Sequence, residues 1–219
     1  MAEPKAASQR PHFDRAFQDK FVELVRWRRD VRRFRTDPIA PAALDELIQL
    51  AQLAPSVGNS QPWRFVKVND PSRRAAIRRT FEAANREALA DYAGAEARLY
   101  AELKLAGFDR APVQLAVFVD PATETGRGLG RKTMPETLNY SAVAAIHTLW
   151  LAARARGIGL GWVSILDPAE AQRILAVPET WSLVAYLCLG YPEEEHLDPE
   201  LERAGWQARL DARGLVIER

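Results

Sequence analysis

Residues Val113 to Val119 form a continuous apolar run of strand length, and a strand without polar alternation needs cover on both of its faces. That requirement places the run in the middle of a sheet with helices packed above and below it. The flanking sequence supplies such helices. Leu44, Leu47, Ile48 and Ala51 repeat at helical spacing up to a stop at Pro55, and a long helical stretch runs from Glu136 to Arg156 and ends at Gly157. Phe13, Phe17, Phe21, Leu24 and Val25 form a further helical stripe with charge on the opposite face, which predicts a core helix. Strands are predicted at Arg64 to Val68, Gly159 to Leu166 and Trp181 to Leu189. With 219 residues, 47% hydrophobic and 27% charged, the chain suits one domain over residues 1–219, of α+β class with helices flanking one sheet.

Two segments are predicted to lie outside that core. From Pro71 to about Ala106 the sequence favours helix but carries a weak apolar stripe, with a break near Tyr92 to Gly94; this reads as a helical lid at about 85–107. From Tyr191 onward the chain turns polar until Leu215, Val216 and Ile217, an apolar end without a local partner. Residues 192–219 therefore read as a tail that docks on another subunit.

Several function classes are set aside by composition. Thirty basic against 29 acidic residues give a net charge of +1, so no global field recruits nucleic acid or an anionic membrane. Cys188, the lone cysteine, sits in an apolar run and reads as a buried, inert thiol. His12, His147 and His196 share no ligand spacing, so no metal is expected, and His147 reads as a packed helix histidine. The polar amino terminus has no apolar signal core, and a cytoplasmic location is the default expectation. Gly126 to Arg131 matches neither nucleotide fingerprint and reads as a flexible loop.

Chemistry concentrates in two places. Arg28, Arg29 and Arg32 supply guanidinium groups able to grip a phosphate in a planar, two-pronged way, and the loop Ala54 to Phe65 packs hydroxyl and amide donors at Ser56 and Asn59. An alternative for the arginines is a solvated helix end favoured by the macrodipole. Asp30 among them is a poor choice for holding an anion and makes sense as a proton acceptor; its alternative is a salt bridge to Arg33 or Arg35. Trp63 and Trp162 read as core packing.

These residues, with Gly159 to Trp162 and Leu189 to Pro192, resemble the FMN-dependent nitroreductase superfamily over nearly the whole chain. The resemblance implies a nitroreductase-like fold with a central mixed, mainly antiparallel sheet, and a homodimer with an exchanged C-terminal tail and flavin sites at the subunit interface. Arg28 and Arg32 would then hold the FMN phosphate, and Arg29 would reach the ribityl chain or the pyrimidine edge. Ser56 and Asn59 would hydrogen-bond the cofactor, Gly161 to Ser164 would run past the flavin edge, and Arg203 would add a phosphate contact.

Longer strings, including Arg29 to Arg32, Tyr100 to Gly107, Gly128 to Arg131, Thr133 to Glu136 and Gly161 to Pro168, resemble the flavin-fragmenting branch of that superfamily. Members of that branch use dioxygen to break reduced FMN into the benzimidazole lower ligand of cobalamin. The implied roles are Asp30 as base and Ser164 as a donor that steadies the flavin edge, with reduced FMN as substrate, dioxygen as co-substrate, and a separate reductase supplying the flavin. An NAD(P)H-dependent nitro or flavin reductase and a non-enzymatic FMN-binding protein are the rival readings.

Overall fold

The sheet that the Val113 to Val119 run demanded has four strands in the order β1, β2, β4, β3: Trp63–Lys67, Val113–Val119, Ser182–Gly190 and Gly159–Val163. The structure is a computed structural model and describes residues 10–94, 97 and 107–219. All three strand pairings are antiparallel, and a single bridge from Asp30 to Leu160 adds a parallel contact. Every residue of β2 is buried, and its alternate side chains enter two different cores.

On one face Leu115 and Val117 of β2 meet Leu187 and Leu189 of β4, covered by α2 (Pro41–Ala51) and the long α5 (Thr137–Arg154). On the other, Ala116 and Phe118 meet Tyr186 and Cys188, covered by Ile77 of α3 (Pro71–Leu89), Phe108 of α4 (Gly107–Arg110), and Ala171 and Leu175 of α6 (Pro168–Leu175). Two-sided cover is thus achieved by an antiparallel sheet. Trp63 belongs to the first core. Asp70 and Asp167 cap α3 and α6 through their side chains, and each is followed by a proline at the first helical position.

Two sequence expectations are corrected. The aromatic stripe of α1 (Arg15–Trp27) is not core: no residue of that helix is buried, and Phe17 and Phe21 are about half exposed at 50% and 49%. Helical periodicity reveals that a face seeks apolar cover but not which molecule supplies it. His147 is exposed, because α5 buries Ala142, Ala145, Ile146, Leu149 and Ala153 and turns position 147 outward. Cys188 is buried and its thiol is pushed up to about 12, chiefly by desolvation.

Of the expected lid, α3 ends at Leu89 and the chain is followed to Gly94, while most of 95–106 lies outside the described residues. In the tail, Leu215, Val216 and Ile217 are exposed. Among the described residues no helix is long and apolar enough to cross a membrane.

Candidate functional site

The arginine cluster is placed by the way the chain leaves α1. Arg28 closes that helix in an extended conformation, its N–H still bonded to the Leu24 carbonyl at 3.0 Å, and Val31 N then donates to Leu160 O at 3.0 Å. This exit strand lies so close over β3 that a Cβ on Gly161 would stand 2.2 Å from the Val31 carbonyl oxygen, and one on Gly159 2.7 Å from Val31 Cγ2. The Gly159 to Trp162 turn is thus a backbone groove for residues 30–34. One consequence is that Trp162 N donates to Asp30 Oδ1 at 2.9 Å.

Around Asp30 the charges are dense. Its Oδ2 faces Arg32 Nε at 3.4 Å, and neither Arg33 nor Arg35 is its partner: Arg33 pairs with Glu194 and Glu200, and Arg35 with Asp37. Desolvation pushes the Asp30 carboxyl above the usual aspartate range, against the Trp162 N–H and Arg32 and with added repulsion from Glu200.

Arg28 stacks its guanidinium 4.7 Å over the Trp150 ring, and Trp150 Nε1 donates to Arg29 O at 3.2 Å. Arg29 bonds Arg26 O through Nη2, while its Nε is buried without a partner. Burial holds both Arg28 and Arg29 below the ordinary guanidinium range, with Arg209 of the tail repelling each. These groups line a cavity of about 300 Å³ with Asp30, Arg32, Glu200 and Arg209. Arg203, on α7 (Glu200–Arg203), lines an adjoining cavity with Arg29 and Arg32 and donates to Asp198 O at 2.9 Å. An orphaned guanidinium nitrogen among mutually repelling arginines offers donors to an anion such as a phosphate ester, although Asp30 and Glu200 line the same cavity.

The loop donors lie elsewhere. Ser56 Oγ accepts from Gln61 N at 3.1 Å, and Asn59 Oδ1 accepts from Gln61 Nε2 at 3.3 Å. The loop is clasped by the Gly126 to Arg131 segment: a Cβ on Gly126 would sit 2.4 Å from Gly58 O, and both glycines have positive φ. That segment therefore serves as a fitted buttress. Val57 N donates to Ser141 Oγ at 3.0 Å near the start of α5, whereas Trp150 marks the arginine end of the same helix. Nine residues of helix separate those two anchors by about 13 Å along the axis, so Ser56 and Asn59 stand near one end of α5 and the arginines near the other. Ser164 follows β3 and is exposed, while Gly161 is buried.

Trp150, Glu200 and Arg209 were not singled out by sequence reasoning. They come from α5 and from the polar tail, more than a hundred residues from Arg29, and no local motif marks them.

A helix-flanked antiparallel sheet with this arginine cluster defines a class, and comparison with known families agrees. The Nitroreductase family matches residues 25–191, and the chain belongs to it. Among individual proteins, it is 57% identical over 199 residues to 5,6-dimethylbenzimidazole synthase of Rhodospirillum rubrum, covering 91% of this chain and 94% of that one. The protein of the same name from Rhodobacter capsulatus is 51% identical over 199 residues, covering 91% and 96%. Of solved structures, oxidised iodotyrosine deiodinase bound to FMN and 3-iodo-L-tyrosine superposes with a TM-score of 0.70 at 25% identity, covering 90% of this chain and 97% of that chain.

Proposed function

We propose that this chain makes 5,6-dimethylbenzimidazole by fragmenting reduced FMN with dioxygen, the flavin being the substrate. The observation that carries the reading is Asp30: a carboxylate of raised proton affinity set beside an arginine cluster in which the buried Arg29 Nε has no partner. The similarity to two synthases over more than nine-tenths of the chain supports it. Reduced flavin supplies the electrons and the carbon skeleton, and dioxygen is the oxidant.

The chain's own groups have distinct tasks. Arg28, Arg29 and Arg209 hold the phosphate, with Arg32 and Arg203 at the rim of the same basin. Asp30, fixed by the Trp162 N–H, takes the proton that cleavage of the ribityl chain releases, and Ser164 donates to the flavin edge. Ser56 and Asn59 are assigned to the flavin from a second copy of the chain, their place toward the other end of α5 from the arginines being compatible with a shared site, and the working unit is a homodimer with the 192–219 tail laid on its mate. Residues 1–219 act as one flavin domain, the segment at about 85–107 excludes water, and a separate cytoplasmic reductase supplies the flavin.

The test is one aerobic incubation with excess chemically reduced FMN, read by mass spectrometry. Benzimidazole product that requires dioxygen and no pyridine nucleotide is expected. Rapid NADPH oxidation with intact flavin would establish a reductase instead, and tight binding without turnover a flavin carrier.

A further inference from the structure

The tail returns to the cluster and delivers a second carboxylate. Glu200 Oε2 stands 3.7 Å from Arg32 Nε, the same nitrogen that faces Asp30 Oδ2 at 3.4 Å. Its other oxygen is held by Arg33 Nη2 at 3.2 Å. The Arg32 side chain is 14% exposed, that of Glu200 21% and that of Asp30 34%, so solvent screens the Arg32–Glu200 pair weakly and Asp30 in part. One guanidinium nitrogen between two carboxylates neutralises neither fully, and a carboxylate matched to an arginine of its own is a poor proton acceptor.

A glutamate here also works against anion binding, so phosphate recognition does not explain it. We infer that Glu200 is a positioning residue: by sharing Arg32 it leaves Asp30 basic enough to accept a proton. The inference rests on the reading of Asp30 as the base in flavin fragmentation.

The other groups around Asp30 do not substitute for it. Arg28, Arg29 and Arg32 from its own segment are cationic, and Arg209 in the same cavity adds another positive charge. From β3 comes the Trp162 N–H, and from β4 the Cys188 thiol, which is uncharged at neutral pH. Asp198 and Glu202 of the tail act on Arg29, whereas Glu200 is the carboxylate that acts on Asp30 itself.

The experiment titrates Asp30 in the flavin-free protein by NMR with carboxyl-labelled aspartate, Asp30→Asn assigning the signal. Glu200→Gln should move the Asp30 midpoint to lower pH, and Glu200→Asp should restore most of it. Glu194→Gln, which removes the other partner of Arg33, should leave the midpoint in place. With reduced FMN and dioxygen, the acid limb of the single-turnover profile of Glu200→Gln should shift to lower pH, and its plateau should fall roughly threefold to tenfold, without weaker FMN binding. Glu200→Ala is titrated alongside, so that misfolding of one variant leaves the comparison intact. A midpoint unmoved or raised in folded Glu200 variants overturns the inference. Wild-type protein that yields no benzimidazole overturns the fragmentation reading instead, since the flavin-free titration judges Glu200 independently.

Discussion

Asp30 Oδ1 accepts the backbone N–H of Trp162 at 2.9 Å, tying a charged residue of the α1 exit to a strand 132 residues further along the chain. The bond orients the carboxylate while Oδ2 stays toward the arginines, so binding and proton transfer are separable at this side chain. Asp30→Asn keeps the shape and the acceptor. It should lose fragmentation by roughly a hundredfold or more while retaining FMN affinity, measured by single-turnover product formation and flavin titration on one preparation. Near-wild-type turnover at saturating reduced FMN would place the proton acceptor elsewhere.

The same substitution has a signature in stability. Burial, reinforced by Glu200, raises the Asp30 carboxyl above its unfolded value, so the folded chain holds this proton more tightly than the unfolded chain. The resulting stabilisation is present below the ordinary aspartate range and is lost as pH rises through the raised value. Asp30→Asn removes that slope. Its urea midpoint should gain on the wild type as pH climbs from the acid range toward neutrality, and a parallel pH dependence in the two proteins would refute the raised affinity.

What the sequence made legible follows from the range of each interaction. The doubly covered β2 and the helices α2 and α5 are written in local periodicity and punctuation and form where expected, whereas α3 ends at Leu89, a few residues before the break read at Tyr92 to Gly94. The arginines and Asp30 were found because they stand within five residues of each other. Trp150 beneath Arg28, Glu200 opposite Arg32 and Arg209 beyond them are joined only by tertiary return of the chain. Reading α1 as core failed for a related reason: its pattern states a need for cover, and the covering surface is not in its neighbourhood.

Gly161 tests the groove that seats Asp30. A methyl group there would meet the Val31 carbonyl oxygen, a backbone atom with no rotamer to yield. Gly161→Ala should cost about 1–3 kcal/mol or more by forcing the exit strand off β3, and should lower fragmentation through displacement of Asp30. Gly214→Ala, where a Cβ meets nothing within 4 Å, should stay within about 0.5 kcal/mol of wild type in the same denaturant titration. Equal effects from the two would remove the packing argument.

Deep in the second core, Tyr186 donates its hydroxyl to Gln114 Oε1 at 2.6 Å, and Gln114 Nε2 donates to Phe108 O at 3.0 Å. Burial pushes the phenol above its ordinary range, so it remains a neutral donor at working pH. Tyr186→Phe leaves the Gln114 oxygen without this donor and should cost about 1–3 kcal/mol in urea unfolding. The double variant with Gln114→Leu should cost less than the sum of the two single variants, because both ends of the Tyr186–Gln114 pair are then removed while Phe108 O loses its donor in either Gln114 variant. Additive destabilisation in the double-mutant cycle would show that the pair is not coupled.

Leu215, Val216 and Ile217 are 66%, 80% and 70% exposed, an apolar triplet with little cover among the described residues of its own chain. If the tail lies on a second copy and that copy supplies Ser56 and Asn59 to the site, truncation after Arg213 should damage assembly and flavin binding together. The dimer dissociation constant and the FMN dissociation constant should each rise on the order of tenfold, the equivalent of about 1.4 kcal/mol. The unfolding midpoint measured at low protein concentration should hardly move, since the triplet is largely exposed among the described residues. Sedimentation equilibrium and fluorescence titration of FMN on the truncated chain check both quantities. A truncated chain that binds FMN with full affinity as a stable monomer would refute the shared site and the docked tail at once.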